Sequence, residues 1–196
     1  MFYYLLYRIG QFLVLRLPLQ LSYRIAVFIA DIRYSLSFKD RNNVKDNIRN
    51  IFPDKTEKEV DAISRGVFRN FAKYLVDFLN FPRIDKEYIM REVKLENTDF
   101  FNEVLSNKKG SIVLTAHLGN WELGGAAISL LGYPFAAVAM EHKYKKTNDL
   151  FRGQRESKGI KVIPLRRAAW QALRCIKDNS LLALVGDIDY GGKTVL

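Results

Sequence analysis

The sequence predicts an α/β protein: a helical N-terminal region followed by a largely parallel sheet covered by helices, incomplete at the C-terminus. Three observations carry this. Up to about residue 80 the apolar residues recur at steps of three and four, the period of a helix. From Gly110 onward, apolar runs of six or seven residues alternate with helical stretches, the rhythm of a parallel sheet with crossover helices. The 196 residues are 48% hydrophobic and 27% charged, which sets aside collagen-like, disulfide-rich and disordered chains. The single Cys175 cannot form an internal disulfide.

Residues 1–30 (MFYYLLYRIGQFLVLRLPLQLSYRIAVFIA) read as a membrane-interface helical segment or, alternatively, as a pair of core helices broken near Pro18. Arg8, Arg16 and Arg24 interrupt the apolar residues, and no acid appears before Asp31. The stretch falls short of the ~18–20 uninterrupted apolar residues of a membrane-spanning helix, and it lacks the layout of a cleaved signal peptide. Tyr, Phe and Leu mixed with Arg suit a helix lying in a membrane interface, rings at headgroup depth and guanidinium groups on phosphates. A pair of ordinary core helices is the alternative. Segment 39–52 places Val44, Ile48 and Ile51 at helical spacing, and Pro53-Asp54 ends it. Thr56 and Glu59 form a capping box. A long helix follows over 57–80, its apolar face Val60, Ile63, Val67, Phe71, Tyr74, Leu75 and Phe78, with Lys58, Asp61, Arg65 and Lys73 on a solvated side. A charged connector over 85–110 holds short helices near 86–91 and 98–107. The predicted regions are 1–35 at the membrane interface, 36–109 helical, and 110–196 the α/β core.

Within that core, 111–116, 134–140, 160–165 and 181–186 read as buried strands, and 121–132, 144–158 and 166–178 as helices. Sites in such sheets gather at the carboxyl ends of the strands, which here means 117–122, 141–145 and 187–192. No nucleotide-binding glycine loop, nucleophile elbow or CxxC is present.

His117 and His142 are the two histidines. His117 opens HLGNWE directly after the first strand, and Glu122 falls in the first turn of the next helix. The loop through Gly119 can fold the two together, so that the acid fixes the imidazole tautomer and the other ring nitrogen accepts a proton from a hydroxyl. A His and a Glu that merely cap the helix are the alternative. His142 lacks an acid five residues on and reads as a surface residue. Cys175, Trp121 and Trp170 read as structural. Residues 143–177 hold eleven Lys or Arg against Asp149 and Glu156, nearly the whole net charge of +10. Such a strip suits an acidic protein or lipid phosphates.

HLGNWE resembles the H-x4-[DE] motif of glycerolipid-type acyltransferases, and the chain more broadly resembles the bacterial late lipid A biosynthesis acyltransferases. RNNVKDNIRNIFPDKTEKEV (41–60), GSIVLTAHLGNWELGG (110–125), FRGQRESKGIKVIP (151–164) and LLALVGDIDYGG (181–192) are similar to that family's segments in order and separation. The match covers roughly the first two-thirds of the family pattern, with KTVL (193–196) reading as the start of a strand. The resemblance implies transfer of a fatty acyl group from an acyl carrier protein or acyl-CoA thioester to a hydroxyl of lipid A precursor or a related glycolipid, at the cytoplasmic face of the inner membrane. In that scheme His117 is the general base and Glu122 orients it. Arg155, with Arg152 as second choice, and Asp187, with Asp189 as competitor, contact substrate or stabilise charge, as do Gly119 and Asn120. No metal and no cofactor are implied. An anionic membrane surface is the expected partner and nucleic acid is not. Phosphoglycerol acylation and a non-enzymatic basic module binding membrane or nucleic acid are the rival readings.

Overall fold

A computed structural model describes residues 2–187. The chain divides into two compact units: Leu6–Asn80, and Phe81 onward together with the first five residues.

The N-terminal segment holds α1 (Phe2–Val14), α2 (Leu19–Leu36), α3 (Phe38–Ile51) and α4 (Glu57–Leu79). Pro18 caps α2, where its fixed φ suits a helix start. The Thr56–Glu59 capping box that starts α4 is present in both directions. Val14, Val76 and Leu79 pack with Leu19, Tyr23 and Ala26. The buried stripe of α4 follows the expected one at Val60, Ile63, Tyr74, Leu75 and Phe78, and departs from it at Val67 and Phe71. Val60 and Phe78 are buried, and so are Ser64, Val76 and Leu79, whereas Val67 and Phe71 are exposed. The polar side is not simply solvated. Asp31 of α2 takes both Arg69 (2.7 Å) and Arg65 (3.2 Å), and Asp61 takes Lys45 (2.5 Å) and the Tyr34 hydroxyl (2.8 Å). Charged and polar pairs therefore join α4 to α2 and α3 along their seam. Phe12, Leu21, Ile25, Phe28, Ile29 and Ile32 remain exposed. Among the described residues no helix is long and apolar enough to cross a membrane.

The second unit begins with α5 (Lys86–Glu92) and α6 (Asp99–Ser106). It then alternates β1 (Ser111–Thr115), α7 (Trp121–Leu130), β2 (Phe135–Ala139), α8 (Lys145–Glu156), β3 (Lys161–Pro164), α9 (Ala168–Lys177) and β4 (Leu181–Val185). Among the described residues the four strands are parallel, in the order β1-β4-β2-β3. Ala136, Ile163 and Leu182 meet Cys175 of α9 in a buried cluster. Burial raises the Cys175 thiol above its ordinary pKa, in keeping with a structural role. Trp170 differs from its expected packing role, being 75% exposed on α9. Gly110 enters β1 at φ +61°, and a Cβ there would lie 2.5 Å from the Ile176 carbonyl oxygen; only glycine fits. Lys158 is buried and donates to the Ile84 carbonyl at 2.6 Å, with its pKa lowered by desolvation.

Candidate active site

β1 and β4 are adjacent, and their register pairs Thr115 with Val185. His117 and Asp187 each lie two residues beyond that pair, so the sheet delivers both to one carboxyl-end rim. The His117 ring Nδ1 lies 2.8 Å from Asp187 Oδ1, and the His117 backbone N–H donates to Oδ2 at 2.8 Å. A carboxylate only accepts, so Nδ1 carries a proton, and in the neutral ring Nε2 is the nitrogen with the lone pair. The Asp187 carboxyl is held below the ordinary value of 3.8, first by the hydrogen bond from the His117 side chain. The imidazole and the Trp121 ring meet edge to face at a centroid distance of 4.7 Å, which restricts rotation of the imidazole.

Glu122 is elsewhere. It is buried at the start of α7, and its carboxylate takes Arg155 from α8 through Nε (2.9 Å) and Nη2 (2.5 Å). The expected His117–Glu122 contact is thus replaced by two pairs, His117–Asp187 and Glu122–Arg155. The reason is the strand order: β4, not the helix following β1, presents the acid nearest the imidazole. Arg155, expected to meet substrate, is mostly buried and forked onto Glu122, a bidentate geometry that fixes both planes. Arg152 is exposed and pairs with Glu156 at 2.7 Å.

Gly119 sits at φ +61° with open space around it. It turns the chain from β1 into α7 through a conformation other residues disfavour. Asn120 caps α7, its side-chain oxygen accepting from the Leu123 N–H at 3.0 Å. Asp189 lies outside the described residues. His142 is exposed as a residue, yet its ring packs on Phe151 at 4.3 Å. Its pKa is lowered, first by desolvation and then by the Arg155 charge. Among the described residues no group of three or more His, Cys, Asp and Glu is placed to hold a metal.

The arrangement can accept a proton at His117 Nε2, stabilise the resulting imidazolium through Asp187, and hold the rim of α7 and α8 rigid through a buried ion pair. Among known proteins, the family described as bacterial lipid A biosynthesis acyltransferase matches residues 1–196. The chain is 24% identical over 167 residues to a phosphatidylinositol mannoside acyltransferase of Mycolicibacterium smegmatis, covering 83% of this chain and 55% of that protein. A protein of the same name from Mycobacterium tuberculosis is 22% identical over 135 residues, covering 66% and 43%. The chain spans about half the length of the curated relatives it matches. With the family model matched from end to end, this chain belongs to the bacterial lipid A biosynthesis acyltransferase family.

Proposed function

We propose that this chain carries the proton-transfer half of an O-acyltransferase site, moving a fatty acyl group from a carrier-protein or coenzyme A thioester to a hydroxyl of a membrane glycolipid. The observation that carries the reading is the carboxylate on His117 Nδ1, 2.8 Å away, at the mouth of a parallel strand. His117 Nε2 takes the proton of the acceptor hydroxyl as its oxygen attacks the thioester carbonyl. The tetrahedral adduct collapses, the carbon–sulfur bond breaks, and the imidazolium returns the proton to the leaving thiolate. Asp187 holds the tautomer and stabilises the cation, as a positioned carboxylate does in other histidine-based acyl transfer. Glu122 and Arg155 act on placement of the loop. Family membership supports acyl transfer and a lipid A-like acceptor, and the activity of the relatives favours a phosphatidylinositol-mannoside-like one. The exposed apolar residues of α1 and α2, interleaved with Arg8, Arg16 and Arg24, support docking at the cytoplasmic face of the inner membrane.

The test is acyl transfer from a radiolabelled thioester to glycolipid in mixed micelles, by the protein that carries these residues. His117→Ala is expected to abolish turnover. Asp187→Asn keeps the shape and removes the charge, and is expected to lower kcat by about 10²–10⁴-fold. An Asp187→Asn protein within twofold of the parent removes the proposed dyad.

A further inference from the structure

We infer that a second site, at the carboxyl ends of β2 and β3, binds a phosphate group of one of the two substrates, at a distance from the reacting carbonyl. This rests on the acyl-transfer reading above and deepens it.

A cleft of about 450 Å³ lies where the loop from β2 into α8 faces the turn after β3. Its polar lining is Glu141, His142, Lys143, Lys145, Asn148 and Arg166. Glu141 is the acid among these residues, and it is already taken by Arg166 at 3.0 Å. Lys143 and Lys145 form no ion pair among the described residues. The cleft therefore presents two positive charges in excess, and a concave wall concentrates their field. Asn148 reaches back from α8 to accept the His142 N–H at 3.1 Å, which ties the loop to the helix and fixes the lining.

The start of α8 adds an electrostatic conflict. The helix has twelve residues, opens Lys145-Lys146, has no acid in its first turn, and has no side-chain cap from Tyr144. Cations at the positive end of a helix dipole are unfavourable. Local rules broken in this way are characteristic of functional sites. An anion in the cleft resolves the conflict, balancing the lysines and meeting the N–H groups of the helix start.

Geometry sets what the anion belongs to. β2 and β3 are two and three strands from β1, so at ~4.8 Å per strand the cleft is about 10–14 Å across the sheet from the His117 strand. A phosphate there is not at the reacting centre. It is the phosphate ester of a molecule whose reactive group is reached through a spacer. A thioester donor on a phosphorylated arm and a glycolipid with a headgroup phosphate share that chemistry.

Inorganic pyrophosphate is the probe, titrated into the full chain and followed by amide NMR. We expect saturable shifts confined to His142, Lys143, Lys145 and their neighbours. Affinity is expected to fall at least tenfold in Lys143→Ala/Lys145→Ala, to return in Lys143→Arg/Lys145→Arg, and to stay unchanged in His117→Ala. Arg166→Gln, which leaves Glu141 unopposed, is a second variant expected to weaken binding. The same spectra report whether each variant is folded. Shifts scattered over lysines elsewhere, or parental affinity in the double alanine variant, overturn the site. Displacement of pyrophosphate by coenzyme A assigns the phosphate to the donor, and displacement by glycerophosphoinositol assigns it to the acceptor. Displacement by neither overturns the substrate assignment. Pyrophosphate binding needs no turnover, so the site stands or falls separately from the role of His117.

Discussion

The two carboxylates near His117 have different work, and the difference is measurable. Glu122 is buried with Arg155 in a forked pair, so removing it strips a buried guanidinium of its counter-charge. Glu122→Ala is expected to cost about 3–5 kcal/mol in a urea titration, and Glu122→Met/Arg155→Met considerably less. A Glu122→Ala protein of unchanged stability but lost turnover would restore the pairing of Glu122 with His117 that the spacing alone suggests. Asp187 is more exposed, and its role shows in its titration. Its folded pKa is depressed by the His117 hydrogen bond. The stabilisation it contributes is thus present above the ordinary carboxylate pKa and is lost as pH falls through the depressed value. Carbon-detected NMR should place the Asp187 midpoint below 3.8, and His117→Ala should move it upward. A midpoint indifferent to that substitution counts against the pair.

At the level of elements, α4 shows how periodicity can locate a helix and most of its buried side while missing where that face meets solvent. The apolar residues at steps of three and four define the helix well, and its capping box marks the start to the residue. Asp31 pairs with Arg65 and Arg69, and Asp61 with Lys45, across the seam; Phe71 lies exposed and Phe78 is fully buried. Phe78→Ala is expected to cost about 3–5 kcal/mol through the cavity it leaves. Phe71→Ala should stay within about 0.5 kcal/mol. Equal losses in thermal denaturation would show that the stripe read from the sequence is buried at Phe71 as well. The strands were legible to within a residue, because a short apolar run between a glycine-bearing turn and a helix has few other folded uses. The short helices α5 and α6 also lie where the sequence placed helices, near 86–91 and 98–107.

For the molecule as a whole, the exposed apolar residues of α1 and α2 are expected to meet a lipid surface. Flotation with vesicles containing an anionic lipid should recover the protein in the lipid layer, with partial loss at high salt as surface charge is screened. Phe12→Ser/Phe28→Ser is expected to weaken recovery at least tenfold, and recovery equal to the parent in that variant would mean the helices are not the membrane contact. By itself the sequence determined the α/β class, the order of elements, the parallel sheet and the placing of His117 on a strand-end loop, because each follows from local period, turn chemistry and the family pattern in HLGNWE. What only the tertiary structure decided was who faces whom. Strand order is not written in any one segment: β4 lies beside β1, and their register carries Asp187, seventy residues away, to the imidazole. That adjacency releases Glu122 to hold Arg155. The equal two-residue offset of His117 and Asp187 from the ends of their strands was the available signal, and it gains meaning once the strands are neighbours.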